Sequence, residues 1–560
     1  MVADNKVLFA KTGDDLSEGI CLLPKMANRH GFVCGATGTG KTVTLKVLAE
    51  SFSAMGVPVF LADVKGDIAG MIKPGVDSEN MQERIAKFGI ADSFTYQSYP
   101  TQFFDIFGEK GIPLRTTVSE MGPQLMAQVL ELNDTQSDVL SVVYKVADDE
   151  KLVLSDTKDL KAMLQYVSEN AAEYELEYGR IAKASLTTIV RKIVAIEEEG
   201  ADQFFGEPAV AVTDFFTNDI SGKGMITILD SETLINKPRL YSAFMMYLLS
   251  ELFEVLPEVG DPEKPRIVFF FDEAHLLFSS ASKTLMQKIE QMIKLIRSKG
   301  VGVYFVTQSP ADIPDGVMSQ LGNKIEHALR AYTPKEMKAV KTAASAFRAN
   351  PDFDTAELMQ SLATGEAIVS MLDEKGTPGI AQHAYIMPPE SYMGGITDEE
   401  RQQSIKSSNL YLKYNTPVDP DSAYEFLMRL KQKMTDEAAA AKEEAEKAKA
   451  EAKAQAEAEK QAAKEAAAAE KQAAKEAAAA EKQAAKEAAA AEKAALKEKQ
   501  AKEKAVKSGI NSVGKTVTGT IGRQVGGTIG KTVGGTFGKT LGSNLGGSLG
   551  RNLFGTLFKG

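Results

Sequence analysis

Eight consecutive residues, Gly35-Ala36-Thr37-Gly38-Thr39-Gly40-Lys41-Thr42, fill the pattern G-x-x-x-x-G-K-S/T completely. Glycines let such a backbone curl until its N–H groups converge on a β-phosphate, and a helix beginning at Val43 adds its positive dipole end. Gly35, Ala36, Thr37, Gly38, Thr39, Gly40, Lys41, Thr42 and Val43 are therefore the candidate phosphate cradle. In this chemistry the lysine bridges the β- and γ-phosphates of ATP and the threonine hydroxyl ligates Mg²⁺, roles that fall to Lys41 and Thr42.

A second pattern supplies the hydrolytic groups. Ile267-Val268-Phe269-Phe270-Phe271 is an apolar run that ends in Asp272-Glu273. Asp272 is expected to hold the Mg²⁺ shell and Glu273 to orient and activate the attacking water. Capping of the next helix is the bland alternative for this pair. The following run, Val301 to Thr307, ends in Gln308, a polar tip suited to sensing a γ-phosphate and positioning water. Asp272-Glu273-Ala274-His275 spells the letters of the DEAH helicases, but the accompanying motifs of that group are missing, and His275 is read as incidental or supporting. Asp63 and Asp67 flank a turn, and either a plain Asx turn at Lys65-Gly66 or a role near Mg²⁺ or in coupling to a channel explains them. His30, His327 and His383 are assigned no chemistry.

These groups need a sheet to hold them. Short apolar runs alternate with amphipathic stretches across residues 31–390, the signature of an α/β layer with helices on both faces. Strands are predicted at Gly31–Cys34, Pro58–Ala62, Ser93–Gln97, Met225–Leu229, Ile267–Phe271, Val301–Thr307, Lys324–Leu329 and Ala367–Met371. Several are apolar throughout, as parallel strands covered on both faces must be. Between residues 115 and 199 only helical spacing is found, as at Leu160, Met163, Leu164 and Val167, which predicts an all-α insertion. The expected organisation is a short N-terminal segment (1–30), an ATPase core (31–114 and 200–390), the insertion (115–199) and a helical segment packing on the core (391–434). A helical spacer (435–507) and a basic glycine-rich tail (508–560) complete it.

Composition sets the outer limits. Hydrophobic residues at 44% and charged residues at 25% suit a globular chain. Cys21 and Cys34 have no metal spacing and are expected to be reduced, partly buried thiols of a cytoplasmic protein. No secretory leader is recognised, and Tyr241 to Leu256 carries Glu251 and Glu254 and reads as a core helix. The net charge is -11, yet the last 53 residues hold six basic side chains and no acidic one, while 436–507 are neutral. About -17 is left on residues 1–435, so contact with nucleic acid requires a local basic surface.

The spacer repeats Glu-Lys-Gln-Ala-Ala-Lys-Glu-Ala-Ala-Ala-Ala from Glu459, Glu470 and Glu481, a helix-favouring composition that reads as a solvated single helix, with a coiled coil as the lesser alternative. In the tail an aliphatic or aromatic residue recurs every fourth position from Val513 to Leu557, mostly followed by glycine. Residues 508–560 are expected to engage an anionic membrane surface or another acidic partner, or else to be a passive terminus.

Gly35–Thr42, Asp63-Val64-Lys65-Gly66-Asp67, Phe269–Glu273, Thr307-Gln308-Ser309-Pro310 and His327-Ala328-Leu329-Arg330, taken in order, resemble the HerA/FtsK superfamily of P-loop ATPases, in particular a bacterial group with a helicase HerA-like C-terminal domain. The resemblance covers roughly residues 1–430. It implies an α/β fold with a RecA-like P-loop NTPase core and a parallel-rich sheet, assembly into a homo-hexameric ring, and ATP-driven movement of DNA through a central channel. It also implies that Arg297 reaches a neighbouring subunit's nucleotide, against the plain reading of a cation at a helix C-terminus. Arg330 would contact the γ-phosphate in its own or an adjacent subunit. Lys65 and Lys283 are candidates for channel contacts. About 30 residues precede the phosphate-loop strand, too few for the barrel through which HerA meets its nuclease, so that partnership is not carried over. Two rivals remain: an ATPase acting on protein or in envelope assembly through a tail anchor, and a slow ATP-gated interaction module.

Overall fold

The computed structural model describes residues 2–13, 15–279 and 283–492, and the chain divides into a unit of residues 1–429 and a second unit of residues 430–560. In the first unit one sheet gathers β1 (Val2–Ala3), β2 (Lys6–Thr12), β3 (Glu18–Leu22), β4 (Gly31–Cys34), β5 (Val59–Asp63), β6 (Thr101–Asp105) and β7 (Ile112–Pro113). It also takes in β8 (Ile226–Asp230), β9 (Ile267–Phe271), β10 (Val301–Thr307), β11 (Asn323–Glu326), β12 (Glu366–Ser370) and β13 (Gln382–Ile386). The spatial order is β1-β2-β13-β12-β11-β4-β10-β9-β5-β8-β6-β7, with β3 paired to β2. From β11 to β7 every pairing is parallel, and the pairings among β11, β12, β13, β2, β3 and β1 are antiparallel. The centre of this sheet is the RecA-like arrangement, with β10 inserted between the phosphate-loop strand β4 and the carboxylate strand β9.

The central strands are buried along their whole length because helices cover both faces. Phe60 packs on Phe269 and Phe270 on Tyr304, each with ring centroids 5.2 Å apart, so aromatic contacts run across the strands. Close packing dictates composition at Gly31, where a Cβ would lie 2.6 Å from both Asn323 O and a Tyr304 ring carbon.

Two helices, α1 (Lys41–Ala54) and α2 (Glu79–Lys87), follow β4 and β5. Between β7 and β8 the chain is helical, through α3 (Val118–Val129), α4 (Asp134–Asp149), α5 (Thr157–Glu169), α6 (Ala171–Tyr178), α7 (Lys183–Glu197) and α8 (Ala201–Phe204). Capping boxes at Thr117/Glu120, Asn133/Gln136 and Asp156/Asp159 start three of them. The apolar run near Tyr241 is α9 (Pro238–Val255), a core helix as read from sequence, and no described helix is long and apolar enough to cross a membrane. Next come α10 (His275–Ser279), α11 (Lys283–Ile296), α12 (Asp315–Met318), α13 (Pro334–Ser345) and α14 (Thr355–Ser361).

Past the sheet, α15 (Asp398–Ser407) and α16 (Asn409–Tyr414) dock on the core. The buried Arg401 of α15 lies 3.3 Å from Asp230 at the end of β8, and its guanidinium sits 4.9 Å from the Phe103 ring centre. The last helix, α17, runs Ala423–Glu492. In the second unit its described side chains are nearly all exposed, with Lys447 pairing to Glu443 one turn away, as a solvated helix requires. The rest of the spacer and the readings made for residues 508–560 lie outside the described residues.

Three departures from the sequence reading have physical causes. Ser93–Gln97 is not a strand: Phe94 N–H bonds Ile90 O in a turn, and Phe94 packs edge-on to Tyr96. The strand lies downstream at β6, hidden in sequence because Gln102 and Asp105 are buried; Gln102 bonds Thr227, and Asp105 accepts from the N–H groups of Phe107, Glu109 and Lys110. The first 30 residues, read as a short segment, supply β1, β2 and β3 to the sheet. Finally, β11 stops at Glu326 because the next residues serve the phosphate loop: His327 N–H bonds Cys34 O, and Ala328 O accepts from Ala36 N–H.

Candidate active site

The carboxyl ends of β4, β5, β9 and β10 meet at one edge of the sheet, where an open α/β layer places its ligands. Gly35 and Gly40 have φ values of +150° and +116°, and a Cβ on Gly35 would come 2.5 Å from His327 Cβ. The loop is pinned at several points: Gly35 N–H bonds Thr307 O, the Thr39 hydroxyl bonds Ala36 O, and Thr39 O accepts from Gly365 N–H. Beneath it the buried His327 joins the Thr44 hydroxyl (2.9 Å) to Glu366 O (2.8 Å), and burial drops its pKa to about 4, so the ring is a neutral strut. His30 is likewise neutral, accepting from Val303 N–H and therefore donating to Ile293 O.

Lys41, only 7% exposed, folds back to donate to Gly35 O (2.6 Å) and Ala36 O (3.1 Å). Burial first, and then the neighbouring Lys65 charge, hold its pKa below the usual lysine range. Thr42 Oγ1 bonds Asp67 Oδ2 at 3.2 Å. Asp63 holds the turn between them by accepting from the N–H groups of Lys65, Gly66 and Ile68. Burial and the nearby Asp67 push the Asp63 carboxyl up to about 7. The two aspartates thus divide the readings left open by sequence: Asp63 makes the Asx turn, and Asp67 meets the Mg²⁺-binding candidate Thr42.

Asp272 and Glu273 follow β9. Burial, then the charge of Glu273, pushes Asp272 up to about 6. Glu273 adopts φ +47°, a left-handed conformation that costs a non-glycine residue of order 1–3 kcal/mol. Gln308 Nε2 donates to both of its oxygens (3.1 and 3.2 Å), Lys65 Nζ lies 2.8 Å from Oε1, and His275 Nδ1 lies 3.3 Å from Oε2. Burial alone would raise this carboxylate, but Lys65 and Gln308 outweigh it and hold it below the usual glutamate range. Thr37 of the phosphate loop closes the circuit, its hydroxyl 3.5 Å from Gln308 Oε1.

Oxygen donors of Thr42, Asp67 and Asp272 suit a hard cation such as Mg²⁺. No group of three or more His, Cys, Asp or Glu side chains forms a metal cage among the described residues, and Mg²⁺ held by one or two carboxylates and substrate phosphates requires none.

The two arginines lie apart from this cluster. Arg297 ends the α11 segment at the amino end of β10, the opposite edge of the sheet, and pairs with Asp261 at 3.2 Å. Arg330 is exposed and donates to Gln360 O and Leu362 O at the C-terminus of α14, where the helix dipole favours a cation. Lys65, a candidate for channel contact, instead pairs with Glu273, and the side chain of Lys283 lies outside the described residues.

A cavity of about 560 Å³ opens beside Gly40 and Val43, lined also by Arg84, Tyr96, Gly365 and Tyr392. Its wall is braced from α1: Lys46 Nζ bonds Tyr392 O, and the buried Glu50 accepts from the N–H groups of Glu390 and Ser391. Sequence reasoning missed these lining residues, which are far apart along the chain and belong to no motif.

The helicase HerA-like C-terminal family matches residues 9–541. The DNA double-strand break repair helicase HerA of Sulfolobus acidocaldarius is 22% identical over 364 residues, covering 61% of this chain and 62% of that protein. HerA of Sulfurisphaera tokodaii is 21% identical over 358 residues with the same coverage. The chain thus spans about 62% of the length of these curated relatives. Among solved structures, the bacterial conjugative coupling protein TrwBdeltaN70 is 14% identical, with 68% of this chain and 89% of that one covered and a TM-score of 0.47.

Proposed function

The chain belongs to the helicase HerA-like C-terminal family, and from that premise we propose that it is a Mg²⁺-dependent ATPase that moves DNA as a homo-hexameric ring. The observation that carries this reading is the convergence of Lys41, Thr42, Asp272, Glu273 and Gln308 on one edge of the sheet, with the inserted strand β10 presenting Gln308 to Glu273. In the proposed reaction Lys41 leaves its own loop carbonyls for the β- and γ-phosphates. Glu273 takes a proton from the attacking water, and Gln308 holds carboxylate and water in line. Mg²⁺, held by Thr42 and Asp272 with Asp67 close by, would neutralise phosphate charge. The nucleoside would occupy the cavity beside Val43, past the end of the phosphate cradle.

Arg297 and Arg330 are the proposed contributors to a neighbour's nucleotide. Arg297 is 40% exposed at the sheet edge remote from its own Lys41, which favours service in trans. For DNA, α13 offers the local cationic surface that an acidic body requires: Lys335, Lys338 and Lys341 are exposed at three-residue spacing, and Tyr332 just before the helix is 86% exposed. The test is steady-state ATP hydrolysis with and without duplex DNA. Strong stimulation supports the translocase; stimulation by protein or lipid alone, or negligible turnover, returns one of the two rivals. Mixing Arg297→Ala with Glu273→Gln chains restores part of the turnover if the arginine acts in trans.

A further inference from the structure

Lys65 stands on a fixed base. Asp63 holds the backbone N–H groups of Lys65, Gly66 and Ile68, and Gly66, at φ +73°, leaves 2.3 Å between a would-be Cβ and Glu232 Oε1. From there the ammonium reaches Glu273 Oε1 at 2.8 Å, while Gln308 and His275 occupy the remaining approaches to the carboxylate. The carboxylate is 4% exposed and fully engaged, whereas the lysine is 41% exposed and has room to move. With Lys65 on one oxygen, Gln308 on both and His275 on the other, protein groups face the roughly four acceptor sites of the carboxylate, so this arrangement is a resting one. Lys41 is resting as well, on Gly35 O and Ala36 O. Two cations therefore flank the phosphate seat, both parked on protein acceptors.

We propose that Lys65 is a γ-phosphate-sensitive latch on Glu273. It grips the carboxylate while the site holds no triphosphate and moves to the γ-phosphate when ATP binds, freeing Glu273 to accept the proton of the attacking water. Lys65 is thus a positioning residue, and the inference rests on the reading of Glu273 as the base. A ligand shifts such an equilibrium only by its differential affinity for the two states, so the latch must appear in discrimination between tri- and diphosphate. The Thr37–Gln308–Glu273 circuit gives the phosphate loop a second hold on the same carboxylate.

The experiment measures Mg²⁺-ATPγS and Mg²⁺-ADP binding calorimetrically to the full chain and to Lys65→Met, Lys65→Arg, Glu273→Gln and the Lys65→Met/Glu273→Gln double variant. Lys65→Met is expected to lower the preference for ATPγS over ADP about tenfold, the worth of one charge-assisted hydrogen bond, and Lys65→Arg to restore most of it. Glu273→Gln, which removes the charge that holds the lysine, is expected to tighten ATPγS about tenfold on the same scale while leaving ADP unchanged, and the double variant to lose that gain. A merely structural lysine would weaken both nucleotides alike and leave their ratio at the wild-type value, and that outcome overturns the latch. Hydrolysis by Glu273→Gln separates the two claims. If it is lost while the ratios stay at the wild-type value, only the latch fails; if it persists at the wild-type rate, the reading of Glu273 as the base fails.

Discussion

Glu326 ends β11 beside Cys34, the last residue of the phosphate-loop strand, and replacing it with glutamine gives a quantitative test of how dry the sheet is beneath the loop. The side chain is fully buried, and the Cys34 thiol is a side-chain partner of its carboxyl. Burial raises its pKa from the ordinary 4.5 to about 8, against smaller opposing effects of Cys34 and Lys41. The folded chain therefore keeps a proton that the unfolded chain releases above pH 4.5, so stability is fully present below that pH and is lost as pH rises through about 8. The slope is about 1.4 kcal/mol per pH unit, or about 2 kcal/mol between about pH 6 and 7.5, as an upper order of magnitude. Glu326→Gln has no proton to lose. All other titrating groups are common to both chains, so the stability difference moves toward the glutamine variant by about that amount across the same window. Urea unfolding followed by tyrosine fluorescence at several pH values measures this difference. A difference that stays constant with pH would refute the reasoning, because it would mean that Glu326 is ionised or hydrated in the fold.

Two further outcomes are expected. Arg401→Met leaves Asp230 buried without its counter-ion and should destabilise the docking of α15 by about 3 kcal/mol, with Asp230→Asn in the same chain recovering part of it; limited proteolysis between residues 391 and 422 reads this out. Tyr392→Ala in the cavity beside Val43 should raise KM for ATP about tenfold through lost apolar and ring contact with little change in kcat, which steady-state kinetics measure.

The phosphate loop, the carboxylate strand and its polar neighbour were legible in the sequence because each is a contiguous string whose chemistry fixes its residue types. Buried strands were legible where they were wholly apolar, as in β9 and β10. The sequence reading failed at β6, where Gln102 and Asp105 are buried with partners contributed by β8 and by the following loop, and no local pattern announces a partner. The first three strands were missed because Lys6–Thr12 and Glu18–Leu22 are short and of mixed polarity, and their burial depends on β13, whose Tyr385 and Ile386 pair with Lys11 and Ala10 from the far end of the core. The same distance hides the cavity beside Val43, whose walls come from segments near residues 84, 96, 365 and 392. Lys65 was visible as a charge in a turn, but its contact with Glu273 spans 208 positions and follows only from the adjacency of β5 and β9.

Glu273 is proposed to activate water at a nucleotide held by the Gly35–Thr42 loop. Single-turnover ATP hydrolysis by Glu273→Gln, with ATP binding measured on the same preparation, tests it most directly. Glu273→Gln is expected to bind ATP at least as tightly as wild type and to hydrolyse it about 10²–10⁴-fold more slowly, the contribution of a positioned general base. Hydrolysis at the wild-type rate by a variant that binds ATP normally would contradict it.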